Sequence, residues 1–138
     1  MPISLSAAEV PDGLLVTLTS SAEVPEKRAI VYVVDVSGSM NNDATVREGI
    51  GMVTTGMNIL RLVCNSISAS LATLGPRDEV AIVTFHTYAK VEMPFTAMTP
   101  ENMCSARAIL DGLVPLERTN MWGGISLALD LVAEHARV

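Results

Sequence analysis

One uninterrupted apolar run that ends in an acidic residue constrains this chain more than any other feature. Residues 29–34 read Ala-Ile-Val-Tyr-Val-Val, and Asp35 follows directly. Continuous apolar runs rich in β-branched residues are typical of strands that are buried on both faces of a parallel sheet. The run therefore predicts an α/β fold, and it places Asp35 at the carboxyl end of a central strand, where ligands bind in such sheets.

The residues after this strand form an oxygen-rich turn. Ser37, Gly38 and Ser39 follow Asp35, so that one carboxylate and two hydroxyls alternate along the chain. Hard divalent cations such as Mg2+ prefer oxygen ligands in octahedral geometry, and glycine lets the backbone turn tightly around such a site. A plain strand-to-helix turn uses the same residue types. The spacing alone leaves both interpretations open.

Two further segments extend the pattern. Residues 33–40 read VVDVSGSM, residues 78–85 read DEVAIVTF, and residues 119–125 read TNMWGGI. In this order they resemble the metal-ion-dependent adhesion site of von Willebrand factor type A domains, over roughly residues 29–132. The resemblance implies a doubly wound, Rossmann-like sheet, with residues 29–138 forming a partial domain of this type. Residues 1–28 are then an N-terminal strand pair and linker.

The resemblance also implies a set of metal ligands. In the family, hydroxyls equivalent to Ser37, Ser39 and Thr119 contact Mg2+, with Mn2+ or Ca2+ as alternatives, and the aspartate equivalent to Asp35 acts mainly through water and hydrogen bonds. Neutral hydroxyl ligands leave the ion electrophilic, so an incoming carboxylate can complete its shell. For Thr119 the alternative is a helix N-cap, since Thr and Asn both cap helices well.

Residues around Thr119 are candidates for partner binding. Arg118 stands where the family usually has glycine, Asn120 follows the threonine, and Trp122 is the only tryptophan. Trp122 is either an exposed interface anchor or a residue at the edge of the core. The implied function is a non-enzymatic module that uses Mg2+ to bind an exposed Asp or Glu of a protein partner.

One part of the family pattern is absent from the sequence. Family members carry a further aspartate after a fourth strand, and no such strand precedes Val138. We expect weaker metal binding and an open edge on the strand at residues 29–35. Unpaired strand edges are templates for association, so the strand at residues 14–20, a second subunit or a complementing chain should cover it. The alternative function is a metal-independent α/β scaffold that self-associates through this edge.

Composition excludes several classes of partner and location. The 138 residues fit one domain, and the net charge of -6 offers no basic stripe for nucleic acid or anionic membranes. The N-terminus lacks a signal-peptide pattern. Cys64 and Cys104 resemble buried thiols rather than a disulfide pair, which favours a cytoplasmic location over an extracellular one. No His or Lys is placed to activate Ser37, so we expect no enzymatic turnover.

The remaining pattern predicts the order of the elements. Residues 3–10 and 14–20 are expected to form a hairpin, and residues 41–49 an irregular loop. Apolar residues spaced by three and four between Met57 and Leu74 predict a helix. A strand at 79–86 is expected to pair with one at 88–93 that Pro94 ends, and Thr99 to cap a helix through Leu110. Residues 117–124 are expected to form a loop before a last helix.

Overall fold

A three-stranded sheet forms the centre of the molecule in the computed structural model, which describes residues 3–10, 13–20 and 27–137. Strand β3 (Ala29–Asp35) runs parallel to β6 (Glu79–Phe85), and β7 (Ala89–Ala97) pairs antiparallel with the other side of β6. Asp35 lies opposite Phe85, so the two parallel strands end at the same level. The fold is the predicted α/β arrangement, with a small sheet.

Helices cover both faces of this sheet. Helices α1 (Ile59–Leu71) and α2 (Pro100–Gly112) pack on one face over an apolar core. The largest fully buried members of that core are Leu71, Ile82, Met98, Leu110, Val34 and Val80. Helix α3 (Met121–His135) packs against all three strands from the other face. Its Gly124 lies against the ring of Phe85, where even a methyl group would collide.

Two hairpins lie outside the central sheet. Strands β1 (Ile3–Val10) and β2 (Gly13–Ser20) pair with each other, as predicted, and form a separate two-stranded sheet. Strands β4 (Asp43–Glu48) and β5 (Gly51–Asn58) form a second hairpin. The prediction of an irregular loop at residues 41–49 is therefore wrong. Most of this hairpin is exposed, so it lacks the apolar alternation of a half-buried strand.

Smaller differences concern where elements begin and end. Helix α1 begins after Asn58, whose side chain accepts a hydrogen bond from the Arg61 amide at 2.8 Å, so Met57 belongs to β5. Strand β7 continues past Pro94, because an edge strand tolerates a residue that cannot donate a hydrogen bond. Helix α2 has the predicted Thr99 cap. Helix α3 begins earlier than predicted, at Met121.

An ion pair joins β3 and β6 at their amino ends. Arg28 donates from Nη2 to Asp78 Oδ2 at 2.7 Å and from Nε to Asp78 Oδ1 at 3.1 Å. The Gly75 amide also donates to Asp78 Oδ2, at 2.7 Å. Because the Arg28 guanidinium and the Gly75 amide stabilise the charged form, the pKa of Asp78 is well below its usual range. The pair fixes the two strands at the end opposite the predicted metal site.

Candidate metal centre

The first loop brings three of the predicted site residues into contact. Asp35 ends β3, and its Oδ1 accepts a hydrogen bond from the Ser37 amide at 2.7 Å. A 3-10 turn at Gly38–Asn41 then folds the chain back, and the hydroxyls of Ser37 and Ser39 lie 3.2 Å apart. Ser37 is buried, whereas Ser39 is exposed. The Asp35 carboxylate therefore holds a turn whose two hydroxyls converge.

The spacing of these hydroxyls suits a hydrogen bond between them and equally a shared Mg2+ ion. Neighbouring ligands of octahedral Mg2+ at about 2.1 Å from the ion are about 3.0 Å apart. The Ser37 and Ser39 oxygens, at 3.2 Å, are close to this separation. Among the described residues there is no group of three or more His, Cys, Asp and Glu side chains that could hold a metal ion. The candidate donors in the first loop are the Ser37 and Ser39 hydroxyls, with the Asp35 carboxylate beside them.

A second loop, residues 116–120, is fastened to the ends of both parallel strands. The Leu116 amide donates to the Val36 carbonyl at 2.6 Å, and the Asn120 amide donates to the His86 carbonyl at 2.6 Å. Leu116 also forms an isolated parallel bridge with Ser37. Thr119 lies between these anchors and is exposed. The two loops therefore meet at the carboxyl end of β3 and β6.

The close approach of the loops favours glycine at position 38. A Cβ atom on Gly38 would lie 3.3 Å from the Leu116 carbonyl oxygen, tighter than an ordinary contact. A recess of about 340 Å³ opens beside this contact. It is lined by Gly38, Asn41, Pro115, Leu116 and Glu117. The recess leaves room for a partner's side chains next to the first loop.

The cap of α3 is Asn120 and not Thr119. The Asn120 Oδ1 accepts a hydrogen bond from the Gly123 amide at 3.0 Å, and its Nδ2 donates to the Thr87 carbonyl at 3.4 Å. This corrects the alternative in which Thr119 caps the helix. Within the part of the chain that the structure describes, no hydrogen bond engages the Thr119 hydroxyl. That hydroxyl is therefore available to a ligand.

Arg118 and Trp122 flank this loop at the surface. Arg118 has a φ of 63°, a left-handed conformation that costs a side-chain-bearing residue about 1–2 kcal/mol and that glycine adopts freely. This conformation gives a physical reason for the glycine that the family usually has there. Trp122 is 74% exposed, so of the two interpretations the structure supports a surface position.

Sequence reasoning missed the residues that hold the second loop in place. His86 and Val36 act through backbone carbonyls, which leave no signature in side-chain identity. Thr87 donates from Oγ1 to the Glu117 carbonyl at 3.4 Å and so adds a side-chain contact. In sheets of this type, the loops at the carboxyl ends of adjacent parallel strands meet, so the two predicted strand ends were the signal that could have indicated this arrangement.

Comparison with known proteins agrees with this architecture. The family model of the von Willebrand factor type A domain matches residues 30–137. The chain belongs to the von Willebrand factor type A (VWA) domain family. No curated protein matches the chain. Among solved structures, a VWA protein from Catenulispora acidiphila is similar with a TM-score of 0.60 and 18% identity, over 83% of this chain and 24% of that one.

Two other similar structures are a membrane-spanning protein and a minor pilin. An uncharacterized membrane-spanning protein from Vibrio fischeri has a TM-score of 0.65 at 24% identity, over 80% of this chain and 52% of that one. The PilB minor pilin of Streptococcus sanguinis has a TM-score of 0.61 at 18% identity, over 92% of this chain and 38% of the pilin. This VWA chain thus spans about half the length of the Vibrio protein. At these identities the likeness shows the fold.

Helix length and the two cysteines were also part of the sequence-based expectations. In the described residues, no helix combines the length and apolarity that membrane crossing requires. Both cysteines are free thiols. Cys64 is buried, which raises the pKa of its thiol, but Cys104 is exposed on α2, so the expectation of two buried thiols is wrong for Cys104. Helix α2 buries other side chains, including Ala106 and Leu110, and turns Cys104 to solvent.

Proposed function

We propose that this VWA domain is a protein-binding module in which the hydroxyls of Ser37, Ser39 and Thr119 hold Mg2+ for an acidic residue of a partner. The observation that carries the proposal is the convergence of the Ser37 and Ser39 hydroxyls, 3.2 Å apart, beside the loop that presents Thr119. When bound, the ion supplies a positive centre with an open coordination position for a carboxylate. Mn2+ or Ca2+ could replace Mg2+ in such an oxygen site.

Asp35 has a positioning role in this proposal. Its Oδ1 accepts the hydrogen bond from the Ser37 amide and so sets the direction of the turn. The half-buried carboxylate also places one negative charge next to neutral hydroxyls. This charge attracts a divalent cation but does not neutralise it. We propose that Asp35 contributes through water or electrostatics, and that removing it weakens binding more than removing one hydroxyl.

The surroundings support a protein as the partner. Trp122 and Leu116 are exposed near the second loop, and large apolar side chains at a surface favour protein contacts. Arg118 adds a positive charge that suits an acidic partner segment. Asn120 uses its side chain for the helix cap and the Thr87 carbonyl, so we expect it to contribute to partner binding chiefly by positioning Thr119.

This proposal includes no catalysis and leaves the location open. The Ser37 hydroxyl has the Ser39 hydroxyl as its partner, rather than a base that would activate it as a nucleophile. A cytoplasmic location remains our proposal from the composition of the sequence. The similarity to a pilin makes an extracellular setting the alternative to examine.

The experiment titrates Mg2+ alone into the chain by isothermal titration calorimetry. We expect saturable binding in the wild type and its loss in the double variant Ser37→Ala with Ser39→Ala. Ser66→Ala is the matched control, because Ser66 is an exposed serine of α1 whose hydroxyl donates to the Leu62 carbonyl of the same helix. Absence of Mg2+ binding in the wild type would overturn the proposal, as would equal binding by the double variant.

A second step tests the open coordination position. Acetate is added to the chain with and without Mg2+, and the amide resonances of residues 37–39 and 119 are followed by NMR. We expect shifts from acetate only when Mg2+ is present, and none from acetamide, which lacks the charge. Shifts that are the same without Mg2+ would contradict metal-dependent recognition of carboxylates.

A further inference from the structure

A cavity of about 390 Å³ opens between α2 and the sheet, at the end of the sheet that carries the candidate metal centre. Its lining includes Thr84 and His86, at and just after the end of β6, and Lys90 and Glu92, near the start of the antiparallel β7. Clefts that hold small ligands have volumes of about 300–1,000 Å³. The cavity is therefore large enough to hold a bound group.

The cavity exists because the apolar core ends before α2 does. Ile82 of β6 is fully buried, but the next residue on the same face of this strand is Thr84, whose side chain is smaller. Ile109 of α2 and Leu113 directly after the helix continue beyond this point, and both are only partly buried. The helix thus carries apolar side chains over a part of the sheet that does not fill the space beneath them.

The polar groups of the cavity are already paired with each other. Glu92 is the extra residue of a β-bulge in β7, and its Oε1 accepts a hydrogen bond from Thr84 Oγ1 at 2.9 Å. Its Oε2 accepts from Lys90 Nζ at 2.8 Å. A charged ligand would have to compete with these contacts, so the surface that the cavity still offers is apolar.

The apolar walls are partly open to solvent. They come from α2, from the segment that follows it and from the turn after β3, and they include Val36, Ile109, Leu113, Val114 and Leu116. Val114 is 62% exposed and Leu116 is 42% exposed. An apolar group in the cavity would remove this surface from water, which favours binding.

Both walls of the cavity are formed by the interior of the chain. Every lining residue falls between 36 and 116. The sheet wall consists mainly of β6 and β7, on the side of β6 that faces away from β3. The shape of the cavity is therefore set by consecutive elements within the described residues.

The cavity adjoins the candidate metal centre. Val36 lies between Asp35 and Ser37 in the chain. Leu116 lines both the cavity and the recess beside Gly38. An extended partner segment advances about 3.3 Å per residue, so a few residues are enough to span from the metal centre to the cavity.

The residues of the cavity also hold the second loop in place. The Val36 carbonyl accepts from the Leu116 amide, and the His86 carbonyl accepts from the Asn120 amide. Of these four residues, all except Asn120 line the cavity. An occupant would therefore pack against the residues that position Thr119, so binding at the cavity and binding at the metal should strengthen each other.

We infer that the cavity takes an aromatic side chain from the same protein partner that gives its acidic residue to the metal. For the identity of the partner, this inference rests on the proposed function. An aromatic side chain buries about 150–250 Å² and so covers more apolar surface than an aliphatic one. The Lys90 side chain, 70% exposed at the rim, can also contact the face of a ring. The partner is then recognised by an acidic residue and an aromatic residue a few positions apart.

The first experiment tests the cavity with a metal chelator present. N-acetylphenylalaninamide is titrated into the chain and followed by NMR, with N-acetylalaninamide as the control probe. We expect the phenylalanine probe alone to cause saturable shifts of the amides of Val36, His86 and Leu113. Absence of saturable shifts, or equal shifts from both probes, would overturn the inference.

Substitutions on α2 locate the binding. Ala108→Leu should abolish the shifts, because Ala108 is an exposed residue of α2 that lines the cavity and leucine would fill it. Ser105→Leu is the matched control, since Ser105 is exposed on the same helix, outside the cavity lining. Circular dichroism melting shows that each variant is folded. Shifts that persist in Ala108→Leu would overturn the assignment to this cavity.

The second experiment tests whether one partner uses both places. Acetylated peptides that carry one Asp and one Phe, in either order and separated by zero to four Gly, are titrated in Mg2+ by calorimetry. At one spacing or more, we expect binding at least about tenfold tighter than that of the same peptide with Ala in place of Phe. Ala108→Leu should remove this gain and Ser105→Leu should keep it. A gain at no spacing, or one that survives in Ala108→Leu, would overturn the inference.

The two proposals fail in distinguishable ways. Peptide binding that a chelator leaves unchanged would overturn the metal proposal, and with it the common partner, even where N-acetylphenylalaninamide fills the cavity. Mg2+-dependent binding of the Asp peptides with no gain from Phe would overturn the inference about the cavity alone.

Discussion

Strands β3 and β6 lie side by side and have similar apolar sequences, but they are buried to very different extents. Val80, Ala81, Ile82 and Val83 of β6 have no exposed surface, whereas Val33 of β3 is 36% exposed. The difference is one of position among the described residues: β6 has a strand on each side and helices on both faces, while β3 is paired with β6. Apolar composition therefore shows that a strand is suited to burial, and the neighbouring elements decide whether it is buried.

The largest test of this comparison removes side chains from the two strands. Ile82→Ala should lower the free energy of unfolding by about 2–5 kcal/mol, because it leaves a cavity in a fully covered region. Val33→Ala should lower it by less than about 1 kcal/mol, because the Val33 side chain is already partly in contact with water. Urea unfolding followed by circular dichroism measures both. Equal losses would remove the distinction between the strands.

The packing of α3 on β6 gives the next largest effect. A Cβ atom on Gly124 would lie 2.5 Å from the Phe85 ring, so Gly124→Ala should destabilise the chain by about 1–3 kcal/mol as the helix moves away. Gly112→Ala is the matched control, since its Cβ would meet nothing within 4 Å. If thermal unfolding shows the same change for both variants, α3 does not approach β6 as described.

Acid should weaken the connection between the two strands. Arg28 lowers the pKa of Asp78. The ionised carboxylate therefore stabilises the folded chain at pH values above the usual carboxyl pKa. This stabilisation is lost as the pH falls through the lower pKa of the folded state. We expect Asp78→Asn to lower the melting temperature at pH 7, and the difference from wild type to shrink below about pH 4. A difference that does not change with pH would contradict an ionic role for this pair.

The smallest expected effect concerns the loop that joins the carboxyl ends of the strands. Arg118→Gly should raise the free energy of unfolding by up to about 1 kcal/mol, because glycine adopts a φ of 63° with little strain. Gly38→Ala should act in the opposite direction, through its close contact with the Leu116 carbonyl. Chemical denaturation of both variants measures the two effects. Loss of stability in Arg118→Gly would show that the arginine side chain matters more than its backbone conformation.

The parts of the fold that were predicted are those with a strong local signal. Continuous apolar runs identified β3 and β6, and the Thr99-Pro100 pair identified the start of α2. The position of Asp35, Ser37 and Ser39 at a strand end followed from the same run. Each of these signals lies within a few neighbouring residues, and tertiary packing did not override it.

The parts that were missed depend on distant contacts or on solvent exposure. The hairpin of β4 and β5 has little buried surface, so its sequence carries no clear alternation. Pro94 did not end β7, because β7 is an edge strand and only one of its sides needs hydrogen bonds. Helix α3 was expected to follow a loop that ends at Gly124, but it begins at Met121, where the Asn120 side chain caps it and the His86 carbonyl accepts from the Asn120 amide.

The central claim is that two loops, at the ends of β3 and before α3, share one metal ion, and a paramagnetic titration tests it most directly. Substoichiometric Mn2+ is added to the chain, and broadening of amide resonances is followed by NMR, with excess Mg2+ as competitor. We predict that Ser37, Ser39 and Thr119 broaden together and recover when Mg2+ is added. Broadening confined to one loop, or spread over acidic surface residues such as Asp130 and Glu134, would contradict the shared site.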